Sequence, residues 1–370
     1  MRPFSTASGR VAILAPLSGP RAEIGQALVR AAQVALDTPG APTLDEKDTG
    51  GTPQGAAEAA RAAIAAGAGV ILGPLTSAET AAIAPIARQA GVAVLAFTND
   101  AAQAGSGVWP LGVTPAQQVR RMAGALQAQG KTKLAGLLPE NDFGRAMADG
   151  LAQSATALGL PPPSLHFYPA GAAINVLNPL IREMSGYASR RGPLDAQIRA
   201  ARATGTAEGR RHAATLARQP IPPAPFDALL LAETGEDLEA ITALVAYYDI
   251  DQSAVRVLGP SLWAAPNSGA ARLPGAWYAA PDPAARAAFE QAYTTKFSAP
   301  PPAIADIAFD AASIARAGGF TRPEGFSGAS GLLALQPDGR TRRGLAIFEI
   351  QRGGPQMVEP APASLSAPGV

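Results

Sequence analysis

The feature that most constrains the fold of this chain is a repeated alternation of short apolar runs with longer amphipathic stretches. The runs VAILA (11–15), VILG (70–73) and VAVLAF (92–97) each have the length of a strand. Helix-period stretches lie between them at 22–37 and 78–89. Successive strand–helix units with short connections favour a parallel sheet that helices cover on both faces, so the sequence predicts an α/β fold.

The same alternation restarts after residue 115, which predicts a second α/β lobe. Strand patterns recur at KLAGLLP (133–139) and SLHFY (164–168). An Arg-, Ala- and Pro-rich stretch at 171–219 then predicts two or three inserted helices before the strands resume. With 370 residues, of which 47% are hydrophobic and 16% charged, the chain is long and apolar enough to fill two cores.

The composition argues against several classes of function. The formal net charge is only +1, and the local basic excess at 190–218 has no aromatic side chains on which bases could stack, so we expect no nucleic-acid partner. The absence of cysteine excludes disulfides, thiolate nucleophiles and cysteine metal sites. Charged residues interrupt the long Ala-rich region at 56–97, so we expect no transmembrane segment.

No motif in the sequence indicates catalysis. The stretch GALQAQGKT (124–132) has five residues between its glycines where a phosphate-binding loop needs four, and it follows a predicted helix instead of a strand. His166 and His212 have no metal partner four residues further along. We therefore expect no catalytic residue, no cofactor and no metal. Two carboxylates that meet only in the folded chain remain the open alternative.

The candidate site lies in polar turns that follow predicted strands. Such turns contain Ser18, the pair Thr76 and Ser77, and the stretch 98–100. The carboxyl ends of parallel strands meet at one edge of a sheet, where open α/β sheets bind ligands. Free N–H groups at helix starts favour a carboxylate or another anion, although helix capping by the same hydroxyls is the alternative for each turn taken alone. Three such turns together predict a ligand site.

Five pieces of the sequence occur in a recognisable order. They are PLSGPRAEIGQALVRAAQVAL (16–36), DTGGTPQGAAEAA (48–60), VILGPLTSAETAAIAPIA (70–87), GVAVLAFTND (91–100) and PENDFGRAMADGL (139–151). In this order and spacing the chain resembles the type 1 periplasmic binding proteins of the leucine/isoleucine/valine-binding group. The resemblance implies a Venus-flytrap architecture, in which two lobes share three crossovers and close over a ligand.

The resemblance also implies where the lobes divide. It places the crossovers near 112–117, 277–282 and 328–332. The first lobe is then 10–115 plus 281–330, and the second is 116–280 plus 331–352 with the helical insert at about 171–219. The Pro-, Ala- and Ser-rich residues 353–370 are expected to form a disordered tail.

In the first lobe, the resemblance assigns ligand contacts to two turns. Ser77 occupies the position of a serine that holds the ligand carboxylate in amino-acid binders. Thr98 and Asp100, with Asn99 between them, occupy the turn that holds the ligand's ammonium and carboxylate groups. Ser18 belongs to a turn that is expected to line the same cleft.

The second lobe departs from the amino-acid binders at two positions. Phe143 replaces a tyrosine, and Ser261 replaces the acidic residue that partners the ligand ammonium. A buried ammonium needs an anionic partner, and Asp100 or Glu233 could substitute, although Asp100 would lie near the ligand carboxylate and repel it. Phe143 and Trp263 are expected to add an apolar wall, with core packing the equal alternative for Trp263. The candidate ligand-binding residues are Ser18, Ser77, Thr98, Asn99, Asp100, Phe143, Glu233, Ser261 and Trp263.

A narrower resemblance rests on PFDALLLAE (225–233), VLGPSLW (257–263), GAWYAAPDPAARAAFEQAY (275–293) and the inserted helices. These pieces are similar to proteins named penicillin-binding protein activators, which are flytrap-like lipoproteins that control peptidoglycan synthases. The likeness implies a protein interface as the working surface. The insert at 171–219 is the expected interface because it is an addition to the plain flytrap.

Two hypotheses follow for a non-catalytic periplasmic protein. In the first, the cleft traps a small polar or amphipathic solute, amino-acid-like or carboxylate-bearing, for the permease of an ABC-type transporter. In the second, the chain regulates a peptidoglycan synthase through a protein interface. Residues 1–10 lack the apolar core of a signal peptide, so either the protein is cytoplasmic or a leader has been removed. The resemblance implies the second, a periplasmic protein, and a native lipid anchor stays open.

Overall fold

The predicted alternation of strands and helices is present in the computed structural model, which describes residues 9–320 and 322–365. The first-lobe sheet has five parallel strands in the order β2-β1-β3-β4-β5. These strands are β1 (Arg10–Ala15), β2 (Thr43–Asp48), β3 (Val70–Leu72), β4 (Ala93–Ala96) and β5 (Val108–Pro110). The carboxyl ends of β1, β3 and β4 therefore lie side by side.

The remaining strands form a mixed seven-stranded sheet and a small three-stranded sheet. They are β6 (Leu134–Pro139), β7 (Ser164–Tyr168), β8 (Ala228–Leu231), β9 (Arg256–Gly259), β10 (Trp277–Ala280), β11 (Phe326–Gly328), β12 (Gly331–Leu335), β13 (Thr341–Arg343), β14 (Ala346–Gln351) and β15 (Gly354–Glu359). The second-lobe sheet has the order β15-β14-β10-β9-β8-β6-β7, with β14 and β15 antiparallel to their neighbours. The three-stranded sheet is the antiparallel set β11-β12-β13.

The α-helices of the described residues cover these sheets. They are α1 (Ala22–Ala35), α2 (Pro53–Ala65), α3 (Ser77–Ala90), α4 (Pro115–Ala128), α5 (Asp142–Ala157), α6 (Ile174–Met184), α7 (Tyr187–Ala203), α8 (Ala207–Leu216), α9 (Gly235–Tyr247), α10 (Pro283–Phe297) and α11 (Ala305–Ala317). The predicted insert thus consists of three helices, α6 to α8. Among the described helices, none has the length and apolar character that crossing a membrane requires.

Alternation along β1 explains why helices cover both faces of the first-lobe sheet. Ile13 packs with α1 and α11 on one face, and Leu14 packs with α2 and α3 on the other, both fully buried. Successive side chains of a strand point to opposite faces, so a continuous apolar run buries both. Each such side chain contributes about 1.5–3 kcal/mol relative to exposure. The α/β two-lobed prediction is confirmed.

The described chain passes between the lobes three times. It leaves the first lobe after β5 and enters α4, which packs on α5 and β10. It returns after β10 into α10, which packs on α1. The third passage lies between β13 and β14, at 344–345, later than the predicted 328–332. The cause is β12, whose Leu333 and Leu335 are buried in the first-lobe core although 331–335 was assigned to the second lobe.

The predicted disordered tail is ordered over much of its length. Residues 354–359 form β15 on the edge of the second-lobe sheet. Arg121 holds its end, because Nη2 donates to the Glu359 carboxylate at 2.7 Å and to the Pro360 carbonyl at 3.2 Å. Leu365 is buried against Ala334. A Pro-rich composition did not reveal this pairing; residues 366–370, like 1–8, lie outside the described residues.

Candidate functional site

The loops after β3 and β4 meet because these strands are parallel neighbours. They form one side of a cavity of about 570 Å³, which we call the cleft pocket. Ser77, Thr98, Asn99 and Asp100 line it together. The passages between the lobes and the start of α11 line the rest, and the large apolar side chains of the lining are Leu75, Phe97, Leu111, Val113, Ile304 and Ile307.

The two hydroxyls of the 73–77 turn have different roles. Thr76 caps α3: its Oγ1 accepts from the Glu79 N–H at 3.3 Å, and the Glu79 carboxylate accepts from the Thr76 N–H at 3.0 Å and from its hydroxyl at 2.7 Å. This reciprocal arrangement is a capping box. The capping alternative therefore holds for Thr76. Both residues line the cleft pocket, but the Ser77 hydroxyl takes no part in the cap.

Asp100 accepts hydrogen bonds from three donors on this side of the cleft pocket. Its carboxylate accepts from the Ser77 hydroxyl, from the Gln103 side-chain amide at 3.1 Å and from the Ala102 N–H at 2.9 Å. Its own N–H donates to the Thr98 hydroxyl at 3.1 Å. Burial acts to raise the pKa of Asp100, but these hydrogen bonds outweigh it and hold the pKa below the ordinary value. The group is therefore ionised at neutral pH.

This arrangement differs from what the resemblance implies for Ser77. The hydroxyl proton of Ser77 is donated to Asp100, so it is already engaged when a solute carboxylate arrives. The first-lobe side of the cleft pocket consequently presents a carboxylate to a solute. The motif alone could not reveal this, because the contact joins residues on two different loops.

Arg343 lies at the inner end of the cleft pocket and is almost fully buried. Its Nη2 donates to the Leu111 carbonyl at 2.6 Å, and its Nη1 donates to the carbonyl and hydroxyl of Ser330. Asp310 lies 3.9 Å from Nη1, and Nε has no partner among the described residues. Burial acts to lower the pKa of Arg343, and the attraction of Asp310 and then Asp306 opposes this. A guanidinium stays protonated in proteins, so Arg343 contributes a positive charge to the pocket lining, with the buried Asp310 as its ion-pair partner.

A second carboxylate of the cleft pocket is already paired. Asp306, at the start of α11, accepts from Arg286 Nε with both oxygens, at 2.8 and 2.9 Å. Burial raises the pKa of Asp306, and this ion pair opposes the rise. Of the two carboxylates that line the cleft pocket, Asp100 is thus the one whose hydrogen-bond donors, among the described residues, are all uncharged.

Phe143 lies beside the same loop from the opposite lobe. Asn141 caps α5, with its side chain accepting from the Gly144 N–H at 2.8 Å, and this places Phe143 in the first turn. Phe143, Asn99 and Asp100 line one cavity of about 430 Å³, which adjoins the cleft pocket. The structure therefore brings five predicted site residues together: Ser77, Thr98, Asn99, Asp100 and Phe143.

Ser18 does not line the cleft pocket. It is exposed in a turn that Asp48 organises by accepting from the N–H groups of Leu17 at 2.8 Å and Ser18 at 3.2 Å. The Ser18 hydroxyl is the main cause that lowers the pKa of Asp48. A Cβ on Gly25 would lie 2.0 Å from the Pro16 carbonyl oxygen, so α1 needs glycine to approach this turn. Sequence reasoning missed Asp48, although it ends the neighbouring parallel strand.

Trp263 belongs to the core and not to an apolar wall of the cleft. It is 1% exposed and packs in the main second-lobe core, with Nε1 donating to the Glu233 carbonyl at 2.9 Å. A Cβ on Gly259 would lie 2.3 Å from its ring, so the glycine provides the room. The alternative of core packing is the one the structure shows.

The other two second-lobe candidates are also held by their own lobe. The Glu233 carboxylate accepts from the Tyr168 hydroxyl at 3.0 Å. Burial raises the pKa of Glu233, and the nearby Asp237 adds to this. The Ser261 N–H donates to the Gln118 side chain at 2.7 Å. Neither residue lines the cleft pocket, and Tyr168 was not identified from the sequence.

Comparisons with known proteins agree with this fold. Residues 9–183 match the family model of the periplasmic binding proteins. A Rhodospirillum rubrum structure described as a branched-chain amino acid ABC transporter is 20% identical, with TM-score 0.69, and covers 94% of this chain and 99% of that one. The LpoA C-domain from Haemophilus influenzae, described as a regulator of PBP1A, is 14% identical, with TM-score 0.67 and coverage of 94% and 99%.

A leucine-binding protein LivK from Thermotoga maritima is 18% identical, with TM-score 0.53, and covers 94% of this chain and 97% of that one. A search of curated proteins found no match. At these identities the likenesses show the fold. The predicted type 1 periplasmic-binding-protein fold is thereby confirmed, and the family model matches the sequence in residues 9–183.

Proposed function

We propose that this chain, which has the fold of a type 1 periplasmic binding protein, binds a small amphipathic solute in the cleft pocket and presents it to an ABC-type transporter in the periplasm. The observation that carries the proposal is the convergence of Ser77, Thr98, Asn99 and Asp100 on one cavity of about 570 Å³. Ligand pockets are typically apolar cavities with a few convergent polar groups, and this cavity has that composition.

The charge of Asp100 supports a solute head group that donates hydrogen bonds. An amine, an ammonium or a hydroxyl group would complement the ionised carboxylate. A solute carboxylate placed beside Asp100 would be repelled by about 4 kcal/mol at 4 Å near a protein surface. Any carboxylate on the solute is better placed toward the Arg343 end of the cleft pocket than beside Asp100. The apolar lining suits a hydrocarbon body between these two ends.

A thermal-shift panel tests the proposal. The panel contains the common amino acids, alkyl and aromatic amines, polyols, and mono- and dicarboxylates. A solute that binds only the folded chain raises its melting temperature, and we expect the largest rise from a donor-bearing amphipathic member. Asp100→Asn should abolish that rise, and the exposed Glu58→Gln on α2 should keep it. A panel without a hit, or an equal rise in Asp100→Asn, would contradict the proposal.

A second candidate function is regulation of a peptidoglycan synthase through a protein interface. It is favoured by the three inserted helices and by exposed apolar side chains next to them: Ile174 is 58% exposed and Val176 42% on α6, and Phe167 is 41% exposed on the edge strand β7. The likeness to the LpoA C-domain, which is described as a regulator of PBP1A, points in the same direction.

A pull-down with purified peptidoglycan synthases distinguishes the two candidates. An interface at α6 predicts that the wild-type chain retains a synthase, that Ile174→Ser with Val176→Ser releases it, and that Asp100→Asn leaves it bound. Ala207→Ser with Ala214→Ser, on α8 of the same insert, is the matched control. Absence of retention and of any change in synthase activity would exclude this candidate.

A further inference from the structure

A separate cavity of about 210 Å³ lies where the two lobes meet, behind the cleft pocket. We call it the hinge pocket, and the arginine and glutamine side chains of its lining are Gln117, Arg120, Gln153, Gln336, Arg340 and Arg342. It shares no lining residue with the cleft pocket. We propose that the hinge pocket binds a small multivalent oxyanion of the phosphate class and thereby stabilises one relative orientation of the lobes.

The lining comes from both lobes. Arg120 lies on α4 of the second lobe, whereas Arg340 and Arg342 belong to the β12–β13 hairpin, which packs on the first. Gln117 joins the two sides, because its side-chain amide donates to the Thr341 carbonyl at 2.8 Å and to its hydroxyl at 2.9 Å. A ligand here would therefore contact segments that move relative to each other when a two-lobed protein opens and closes.

The charge of the hinge pocket is one-sided. Three guanidinium side chains line it, and none of its described lining residues is acidic. Asp338, outside the lining, pairs with Arg340 at 2.6 Å. Burial lowers the pKa of the half-buried Arg120, and the like charges of Arg342 and then Arg340 lower it further. Arginines stay charged in proteins, so the cavity concentrates positive potential from both lobes.

Size and donor geometry define the class of ligand. A cavity of about 210 Å³ accommodates inorganic phosphate or pyrophosphate and is below the range typical of drug-sized ligand sites. Guanidinium groups donate in a planar fork that matches two oxygens of a phosphate or sulfate. The amides of Gln117, Gln153 and Gln336 can add neutral donors. A singly charged carboxylate would neutralise less of the positive charge than a multivalent oxyanion.

Binding here would be coupled to the cleft. The cavity that contains Phe143 also contains Asn99 and Asp100 from the cleft pocket, and Thr114 and Gln153 from the hinge pocket. An anion that relieves repulsion between Arg120 and the hairpin favours the orientation in which these residues are close. By linkage, a solute that prefers the same orientation then binds more tightly in its presence.

Thermal shift and calorimetry with sodium phosphate test the inference, with sodium chloride at matched ionic strength as reference. We expect phosphate to raise the melting temperature of the wild-type chain more than chloride does. Arg120→Gln with Arg342→Gln should weaken phosphate binding by at least about tenfold. Arg199→Gln with Arg211→Gln, exposed on α7 and α8 and equal in charge change, should leave it unchanged. Sulfate, tested alongside, should raise the melting temperature as phosphate does, because guanidinium groups match its oxygens in the same way.

Two further variants separate a loss of phosphate binding from a folding defect and from an effect at the cleft pocket. If the double variant is poorly folded, Arg340→Gln, on an exposed side chain, should still weaken phosphate binding by about threefold or more. Asp100→Asn should retain the phosphate response, because the cleft pocket is a different site. Equal stabilisation by phosphate and chloride, or unchanged binding in both hinge variants, would overturn the inference and leave the solute-binding proposal intact.

Discussion

The loops after β3 and β4 in the first lobe and those after β8 and β9 in the second hold equivalent positions, yet they direct their side chains differently. In the first lobe, Ser77 and Asp100 contact each other and line an open cavity. In the second, Trp263 folds into the core and Glu233 binds Tyr168 of its own lobe. The end of a parallel strand is thus a place where a site can form, and the local packing decides whether it does.

The difference has a physical cause in residue size and in neighbouring glycines. Gly259 leaves room for a large ring. Burial of the Trp263 ring in the core stabilises the fold more than its exposure in a cleft would. Small polar residues such as Ser77 and Thr98 gain little from packing in an apolar core, so they lie in the loops that line the cleft pocket, Thr98 buried and Ser77 half-buried. The first lobe therefore provides the polar contacts of the proposed site, and the second provides Phe143 from a different helix.

The largest expected effect compares the two aromatic side chains. Trp263→Ala should lower the free energy of unfolding by about 3–5 kcal/mol, because it leaves a cavity in the second-lobe core. Phe143→Ala removes a half-buried ring and should cost no more than about 2 kcal/mol. Urea denaturation measures both values. A Trp263→Ala loss as small as that of Phe143→Ala would show that the indole is not a core residue.

A smaller effect separates the two hydroxyls of the turn before α3. Thr76→Ala removes the helix cap and should cost about 1 kcal/mol in the free energy of unfolding. Ser77→Ala should cost less than about 0.5 kcal/mol, since the half-buried Asp100 carboxylate keeps its Gln103 and Ala102 donors. Its effect should appear in solute affinity instead. The same denaturation series checks the ranking, and a reversed order would contradict the assignment of Thr76 as the cap.

The smallest effect is an opposite pH dependence in the two lobes. Burial, with Asp237, raises the pKa of Glu233 above its ordinary 4.5, so the stability that Glu233 contributes is present at low pH and is lost as pH rises through the raised pKa. Hydrogen bonds hold the pKa of Asp100 below 3.8 against the effect of burial, so its contribution is present above 3.8 and is lost as pH falls.

Melting curves across this range test the signs. The melting temperature of the wild type minus that of Glu233→Gln should fall as pH rises from about 4.5, because only the wild type must ionise a buried carboxyl. The melting temperature of the wild type minus that of Asp100→Asn should fall as pH drops below about 4. If both melting-temperature differences changed in the same direction with pH, the assigned surroundings of Glu233 and Asp100 would be contradicted.

The local pattern along the chain predicted most of the fold. Apolar runs such as VAILA became central strands, and Thr52 before Pro53 marked a helix start that the structure shows, with the Thr52 side chain accepting from the Gly55 N–H at 3.1 Å. The predicted position of the third passage between the lobes was wrong. The run GLLAL (331–335) has the same apolar strand pattern whether it packs in the first-lobe or the second-lobe core. The tail was misjudged because pairing of β15 with β14 and the Arg121 contact are long-range features.

The candidate site was predictable only in part. The neighbouring parallel strands β3 and β4 brought Ser77, Thr98, Asn99 and Asp100 together, as periodicity and resemblance indicated. The donation from Ser77 to Asp100 and the approach of Arg343 depend on segments far apart in sequence, and no local pattern reports them. Composition likewise gave no sign that Arg120 and the β12–β13 hairpin share a cavity.

In the proposed site, the first-lobe loops hold the solute through Asp100. Calorimetric titration of the strongest solute from the thermal-shift panel into wild type, Asp100→Asn and Glu233→Gln tests it most directly. We predict that Asp100→Asn weakens the affinity by at least about tenfold and that Glu233→Gln keeps it within about twofold of wild type. Loss of affinity in Glu233→Gln with full affinity in Asp100→Asn would contradict the claim and move the site to the second lobe.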